Sequence, residues 1–270
     1  MFQIDLITLD YLRLHRGLVA AEDDDDDLLR VFIGEASQEF CEATQRTPHP
    51  YVATKSFGPE RLQGGLRLQL GDDLLAVSSI TNGDDAAISS GYHTAPDNVY
   101  PKSAVLLNSS GATTWSFTDN DDRVLIAALW GYVPHYGQQW ANLTTLNGAM
   151  DATVTTLAIA DATLLETGMY VLVGTEQMYV DDAATRRVVR GANGTTAASH
   201  ISSDVVQKFV QLRDIASAVR DLAAYKYLTK DQIGSQVQVY DGGTVQVQSL
   251  SPMYAKTVER HKRRQAILGV

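Results

Sequence analysis

Cysteine is almost missing from this sequence. Cys41 stands alone in 270 residues, so no internal disulfide can form and nothing points to an oxidising compartment. Long apolar runs are missing too, since none approaches the ~18 residues a membrane-crossing helix needs. Met1-Phe2-Gln3-Ile4-Asp5 lacks the basic start of a secretion signal. The expectation is a chain that folds in a cytoplasm and meets no membrane. Cations are in deficit, 22 Lys and Arg against 32 Asp and Glu for a net charge of −10. That excludes broad, non-specific binding to a polyanion such as DNA, which needs an excess of positive charge. Catalytic signatures are absent as well: no G-x-x-x-x-G-K-[ST], no G-x-G-x-x-G and no G-x-S-x-G occurs. His15, His49, His93, His135, His200 and His261 are too widely spaced for a short metal-binding motif. No cofactor and no enzymatic activity are expected.

What is present is uneven charge. Glu22 to Asp27 are six acidic residues in a row. As a calcium loop starting at Asp23 the run fails, because Leu28 stands where glycine is needed and Gly34 where a bidentate glutamate is needed. At the other end, Lys256, Arg260, Lys262, Arg263 and Arg264 face a single acid, Glu259, between Met253 and Arg264. Acid at one end and base at the other suit subunits meeting head to tail, or a partner of opposite sign; two solvated helix ends are the plainer alternative.

Periodicity divides the chain into four pieces. Residues 1–50 read as helical: Leu28, Leu29, Phe32, Ile33, Ala36, Phe40 and Ala43 fall on one stripe, the Asp run sits at the favourable N-terminus, and Pro48 and Pro50 end the segment. Leu6 to Leu18 predicts a preceding helix. Residues 51–143 read as a first β module. Leu66 to Leu70 alternates, Leu74 to Val77 leads into the hairpin signal Asn82-Gly83, and Thr114 to Phe117 and Arg123 to Ile126 follow as further strands. Residues 144–212 read as a second, smaller β module. Its hairpin is expected around Gly174-Thr175-Glu176, and a glycine-rich turn at Gly191 to Gly194. Residues 213–270 return to helix at Ile215, Ala218, Val219, Leu222 and Tyr225. The alternation of Val237, Val239, Val245 and Val247 around Asp241 then predicts a protruding hairpin. A basic helix opening at Ser251-Pro252 is expected to run to about Gln265. Trp115, Trp130 and Trp140 could stack on sugars or fill the core of small β modules; the core is the commoner place.

The segment Asp24-Asp25-Asp26-Asp27-Leu28 through Thr44-Gln45-Arg46, together with Asp214 to Tyr225 and the closing Arg260 to Arg264 cluster, resembles the helical scaffold of head–tail connector (adaptor) proteins of tailed bacteriophages. Arg190-Gly191-Ala192-Asn193-Gly194-Thr195-Thr196-Ala197-Ala198-Ser199-His200 is similar to an Arg-Gly-x-Asn-Gly-Thr-x-Ala-x-x-His pattern of phage structural proteins. The resemblance implies an α+β chain in which a helical connector scaffold, built from the N- and C-terminal segments, carries two inserted small β-sandwich or barrel modules. It implies a virion structural protein at the head–tail junction, synthesised in the host cytoplasm. The subunit would form a dodecameric ring below the portal protein, extend the DNA channel, let double-stranded DNA pass without sequence-specific binding, and offer a platform to the next neck or tail-completion protein. Asp23, Asp24, Asp25, Asp26, Asp27 and Asp241 become candidates for the channel wall. Lys256, Arg260, Lys262, Arg263, Arg264, Ile267 and Leu268 become candidates for docking on the portal. The competing reading is a tail-tip or baseplate protein whose β modules bind host surface glycans through the tryptophans.

Overall fold

The computed structural model describes residues 4–15, 18, 25–117, 119, 122–230 and 252–263. The chain divides into two compact units. One comprises Arg46–Trp140, Gly191–Thr196 and Arg263–Val270; the other comprises Met1–Gln45, Ala141–Arg190 and Ala197–Lys262.

The first of these is built on one antiparallel sheet. Its strands are β1 (Tyr51–Phe57), β2 (Leu62–Gln63), β3 (Arg67–Thr81), β4 (Tyr92–Ala95), β5 (Lys102–Leu107) and β6 (Val124–Trp130), in the order β1-β6-β3-β5-β4 with β2 beside β3. Alternation places Leu68 and Leu70 in the core with Val105, Leu107, Val124, Ile126 and Trp130. The two strands expected at Leu66–Leu70 and Leu74–Val77 are one bent strand of 15 residues. Gly71, at φ +68°, lets the backbone bulge there, and the pairing with β5 jumps between Gln69 and Leu74. Asn82-Gly83 turns the chain, but into a single bridge, Thr81 to Ala87. Its larger role is to hold a loop. The Asn82 amide donates to the Thr114 carbonyl and its oxygen accepts from the Ser116 amide. A Cβ on Gly83 would lie 2.2 Å from the Ser116 carbonyl oxygen. Thr114 to Phe117 is therefore a side-chain-pinned loop and not a strand, and it delivers Trp115 to the core, where the indole N–H bonds the Leu66 carbonyl.

The second unit pairs another antiparallel sheet with helices. Its strands are β7 (Trp140–Thr145), β8 (Tyr170–Val173), β9 (Glu176–Asp182), β10 (Arg187–Val189) and β11 (Val205–Phe209), in the order β10-β9-β8-β11-β7. β8 and β9 form a hairpin closed by Gly174-Thr175, with Gly174 at φ +60°. The helices are α1 (Leu9–Arg13), α2 (Asp26–Thr44), α3 (Arg213–Thr229) and α4 (Pro252–His261). α2 buries Leu29, Ile33, Ala36 and Phe40, and α3 buries Ile215, Ala218, Val219 and Leu222, as the stripes require. The Phe40 ring meets Tyr254 of α4 edge-on, and Phe32 meets Tyr227 of α3.

These observations overturn the expected architecture. The fold is mainly β, two open antiparallel sheets with four helices among the described residues. It is not a helical connector scaffold carrying inserted sandwich or barrel modules. Among the described residues neither strand order closes on itself, since each has two ends. Nor do the helices stand apart from the second sheet. Arg30 of α2 bonds Asp181 of β9 at 2.8 Å, the Tyr179 hydroxyl donates to Asp5 at 2.6 Å, and the Leu9 amide donates to the Thr167 carbonyl. The Leu6–Leu18 stretch yields only the five helical residues of α1. Helix period reveals an apolar face, but not whether that face meets another helix or a sheet.

Candidate functional site

The glycine-rich motif is the most fully built polar constellation in the molecule. The β8–β9 turn places Glu176 at the first position of β9, fully buried. Arg190, just beyond β10, lays its guanidinium fork on that carboxylate, Nε to Oε1 at 2.7 Å and an η-nitrogen to Oε2 at 2.8 Å. The remaining Arg190 donors go to the carbonyls of Asp151, Val154 and Ala198. Glu176 Oε2 also accepts from the Ala198 amide at 3.0 Å and lies 2.8 Å from His200 Nε2. The His200 and Met150 backbones exchange both of their hydrogen bonds. A buried charge pair is tolerable only when its other donors and acceptors are met, and here they are met by the protein's own groups. The arrangement braces four segments of the unit.

Between Arg190 and His200 the chain makes its turn through Gly191, Asn193 and Gly194, all at positive φ. Asn193 is buried, and its side-chain amide lies 3.2 Å from Nδ1 of His49. The same ring nitrogen is 2.9 Å from the Pro50 carbonyl oxygen, and Trp140, half-buried, stands edge-on to the imidazole. Burial pushes the His49 pKa down to about 3, so the ring is neutral near pH 7.

A second cluster escaped the sequence reading. Asp72 and Asp73 follow the Gly71 bulge and collect three cations. Arg46 bonds Asp73 at 2.6 Å, Lys55 bonds Asp72 at 2.8 Å, and Arg263 reaches Asp72 at 2.8 Å, Asp73 at 2.9 Å and the Gly71 carbonyl. Arg46 also stacks on Tyr132, and Lys55 lies over the Trp130 ring. Burial holds the Asp73 carboxyl above its ordinary range despite the pull of Arg263 and Arg46. The available signal was a pair of acids straight after a glycine in an alternating strand, where one must point inward.

The expected channel and docking residues divide. Asp25 accepts from the Tyr227 hydroxyl and Asp26 pairs with Arg13, whereas Asp27 is exposed. Arg263 is engaged with the Asp72–Asp73 cluster. Lys256, Arg260 and Lys262 are exposed on or just after α4, and Arg260 reaches Asp214 at 3.1 Å. Asp214, at the start of α3, is partly buried, which works against its charge. The hydrogen bond from His261 and the amide of Ile215 nevertheless keep its carboxyl below the ordinary range. Asp23, Asp24, Asp241, Arg264, Ile267 and Leu268, and the hairpin expected around Asp241, lie outside the described residues.

A cleft of about 250 Å³ opens in the helix-bearing unit, lined among others by Asp5, Thr8, Tyr11, Glu166, Lys208 and Arg213. Burial raises the pKa of Asp5, whose carboxylate accepts from Tyr179. The Cys41 thiol, buried in α2, is pushed up to about 12, which suppresses thiolate chemistry. Among the described residues no group of three or more His, Cys, Asp or Glu side chains is placed to hold a metal ion, and no helix is long and apolar enough to cross a membrane. Trp115 and Trp130 are core residues with their indole N–H groups bonded to backbone, so neither presents a face for sugar stacking.

No family model and no curated protein matches this sequence. Among solved structures, a chain of "Neck of empty GTA particle computed with C6 symmetry" aligns with 96% of this chain and 89% of its own length, at a TM-score of 0.45 and 14% identity. A likeness at that level carries no assignment of fold or function.

Proposed function

We propose that this chain is a non-enzymatic structural subunit of a phage-type virion, a head-to-tail connector that assembles with itself into a ring between the portal and the next tail component. The observation that carries the reading is the Glu176–Arg190–His200 brace. The side chains of Arg190 and His200, in the segment similar to a pattern of phage structural proteins, are spent with Glu176 on holding the fold, which suits an assembly part. The resemblance of the terminal segments to connector proteins supports a position at the head–tail junction and a dodecameric ring. Double-stranded DNA would pass such a ring without sequence-specific contact, because the net charge of −10 repels a polyanion. Asp27 is the exposed member of the acidic run among the described residues. Arg264, Ile267 and Leu268, which lie outside the described residues, are the candidates for docking on the portal. The glycan-binding alternative loses two of its three motivating side chains to the core.

The test is co-assembly. Purified portal rings mixed with the full chain should sediment as a stoichiometric complex, and a variant ending at Arg263 should stay folded but fail to bind. Equal binding by the truncated chain removes the docking role, and no binding by the full chain counts against the connector position.

A further inference from the structure

α2, α3 and α4 pack against one another pairwise. Each turns its apolar side inward: Leu29, Ile33 and Phe40 on α2, and Tyr254 with Thr257 and His261 on α4. What they turn outward differs in sign. Along α2 the exposed positions Asp27, Val31, Glu35, Gln38 and Glu42 follow at spacings of four and three, one continuous stripe, with exposed Glu39 beside it. Lys226 reaches Glu35 and Glu39 at 3.5 and 3.1 Å, while Asp27 and Glu42 meet no cation among the described residues. Along α4 the exposed stripe is Met253, Lys256 and Arg260, with one exposed acid, Glu259, beside Arg260 and exposed Lys262 just after the helix. Each stripe also bares one large apolar side chain, Val31 at 53% and Met253 at 60% of full exposure.

We infer that the acidic stripe of α2 receives the basic stripe of α4 from a second copy of this chain, an inference that rests on the proposed ring. The two stripes cannot meet within one chain, because each helix presents its opposite side to the same three-helix group. Their spacings match in length. Measured from Val31, Glu35 lies ~6 Å and Glu39 ~12 Å along the axis; measured from Met253, Lys256 lies ~4.5 Å and Arg260 ~10.5 Å. Setting Val31 against Met253 therefore brings Lys256 to Glu35 and Arg260 to Glu39. The apolar pair is covered at the same time. Because an α2 stripe meets an α4 stripe, each copy keeps one of each for the next, so the contact is head to tail and closes into a ring if the rotation permits. Lys262, exposed just beyond α4, stays available for a different partner.

The experiment is charge exchange in the full-length chain, read by sedimentation velocity and native mass spectrometry. Glu35→Lys reverses the acidic stripe at the position set against Lys256, and leaves Glu39 to hold Lys226. Lys256→Glu reverses the basic one. Each change alone should weaken self-association by about tenfold or more, and the two together should recover most of the loss. High salt should weaken the wild-type contact in the same direction. Melting curves check folding; if a reversal unfolds the chain, Glu35→Gln or Lys256→Gln replaces it with a smaller loss expected. A wild-type ring indifferent to both reversals overturns this interface and leaves the ring reading standing. Loss without recovery in the combined variant overturns the interface too. A wild-type chain that stays monomeric at every concentration overturns both.

Discussion

His49 shows how far a single residue's chemistry is set by its surroundings. Sequence placed it among six scattered histidines, and nothing marked it as buried; the fold closes Pro50, Trp140 and Asn193 around it. Its pKa falls from an ordinary value of 6.5 to about 3 because the charged ring would lose its water. The unfolded chain then binds a proton that the folded chain does not between those two pH values. The stability contributed by the neutral ring is complete above pH 6.5 and is lost as the pH falls toward 3. Urea titrations between pH 7 and 4 should show a slope of stability with pH that His49→Gln flattens; an unchanged slope would mean the ring is solvated. Asp72 and Asp73 stayed illegible for a related reason. An acid in an alternating strand gives no sign of the cations that will reach it from Arg46, Lys55 and Arg263, distant in sequence.

At the scale of elements, periodicity located α2, α3 and the β8–β9 hairpin to within a few residues, because those signals are local. It failed where side chains or bulges decide. Gly71 joins two expected strands into β3, and Asn82 converts the expected strand at Thr114 into a loop. The motif from Arg190 to His200 was legible as a turn, but Glu176, its anchor, was not, since only the fold brings it there. The brace predicts a specific energetic pattern. Arg190→Ala leaves a buried carboxylate without its fork and should cost about 3–5 kcal/mol in denaturant unfolding. Replacing both Arg190 and Glu176 by methionine should cost less than the sum of the single changes, because the charges are removed together. Strict additivity in that cycle would show that the pair does not act as a unit.

For the whole molecule, sequence conveyed charge distribution and element order well and architecture poorly. The helices at both ends suggested a scaffold with insertions, yet α2, α1 and the stretch before α1 share polar ties with β9 and with the turn before β8, through Arg30, Leu9 and Asp5. Tertiary partners of an amphipathic face are written in three dimensions, not in the period. Asp27, Glu35 and Glu42 on α2, and Lys256 and Arg260 on α4, are exposed where a neighbour can reach them. The central claim is that this chain is a ring-forming subunit at the head–tail junction of a phage-type particle. The measurement that tests it most directly is imaging of particles whose copies of this chain carry an electron-dense tag. The account predicts a cyclic arrangement of tags between portal and tail, and tags confined to the distal tail tip, or particles that lack the chain altogether, would contradict it.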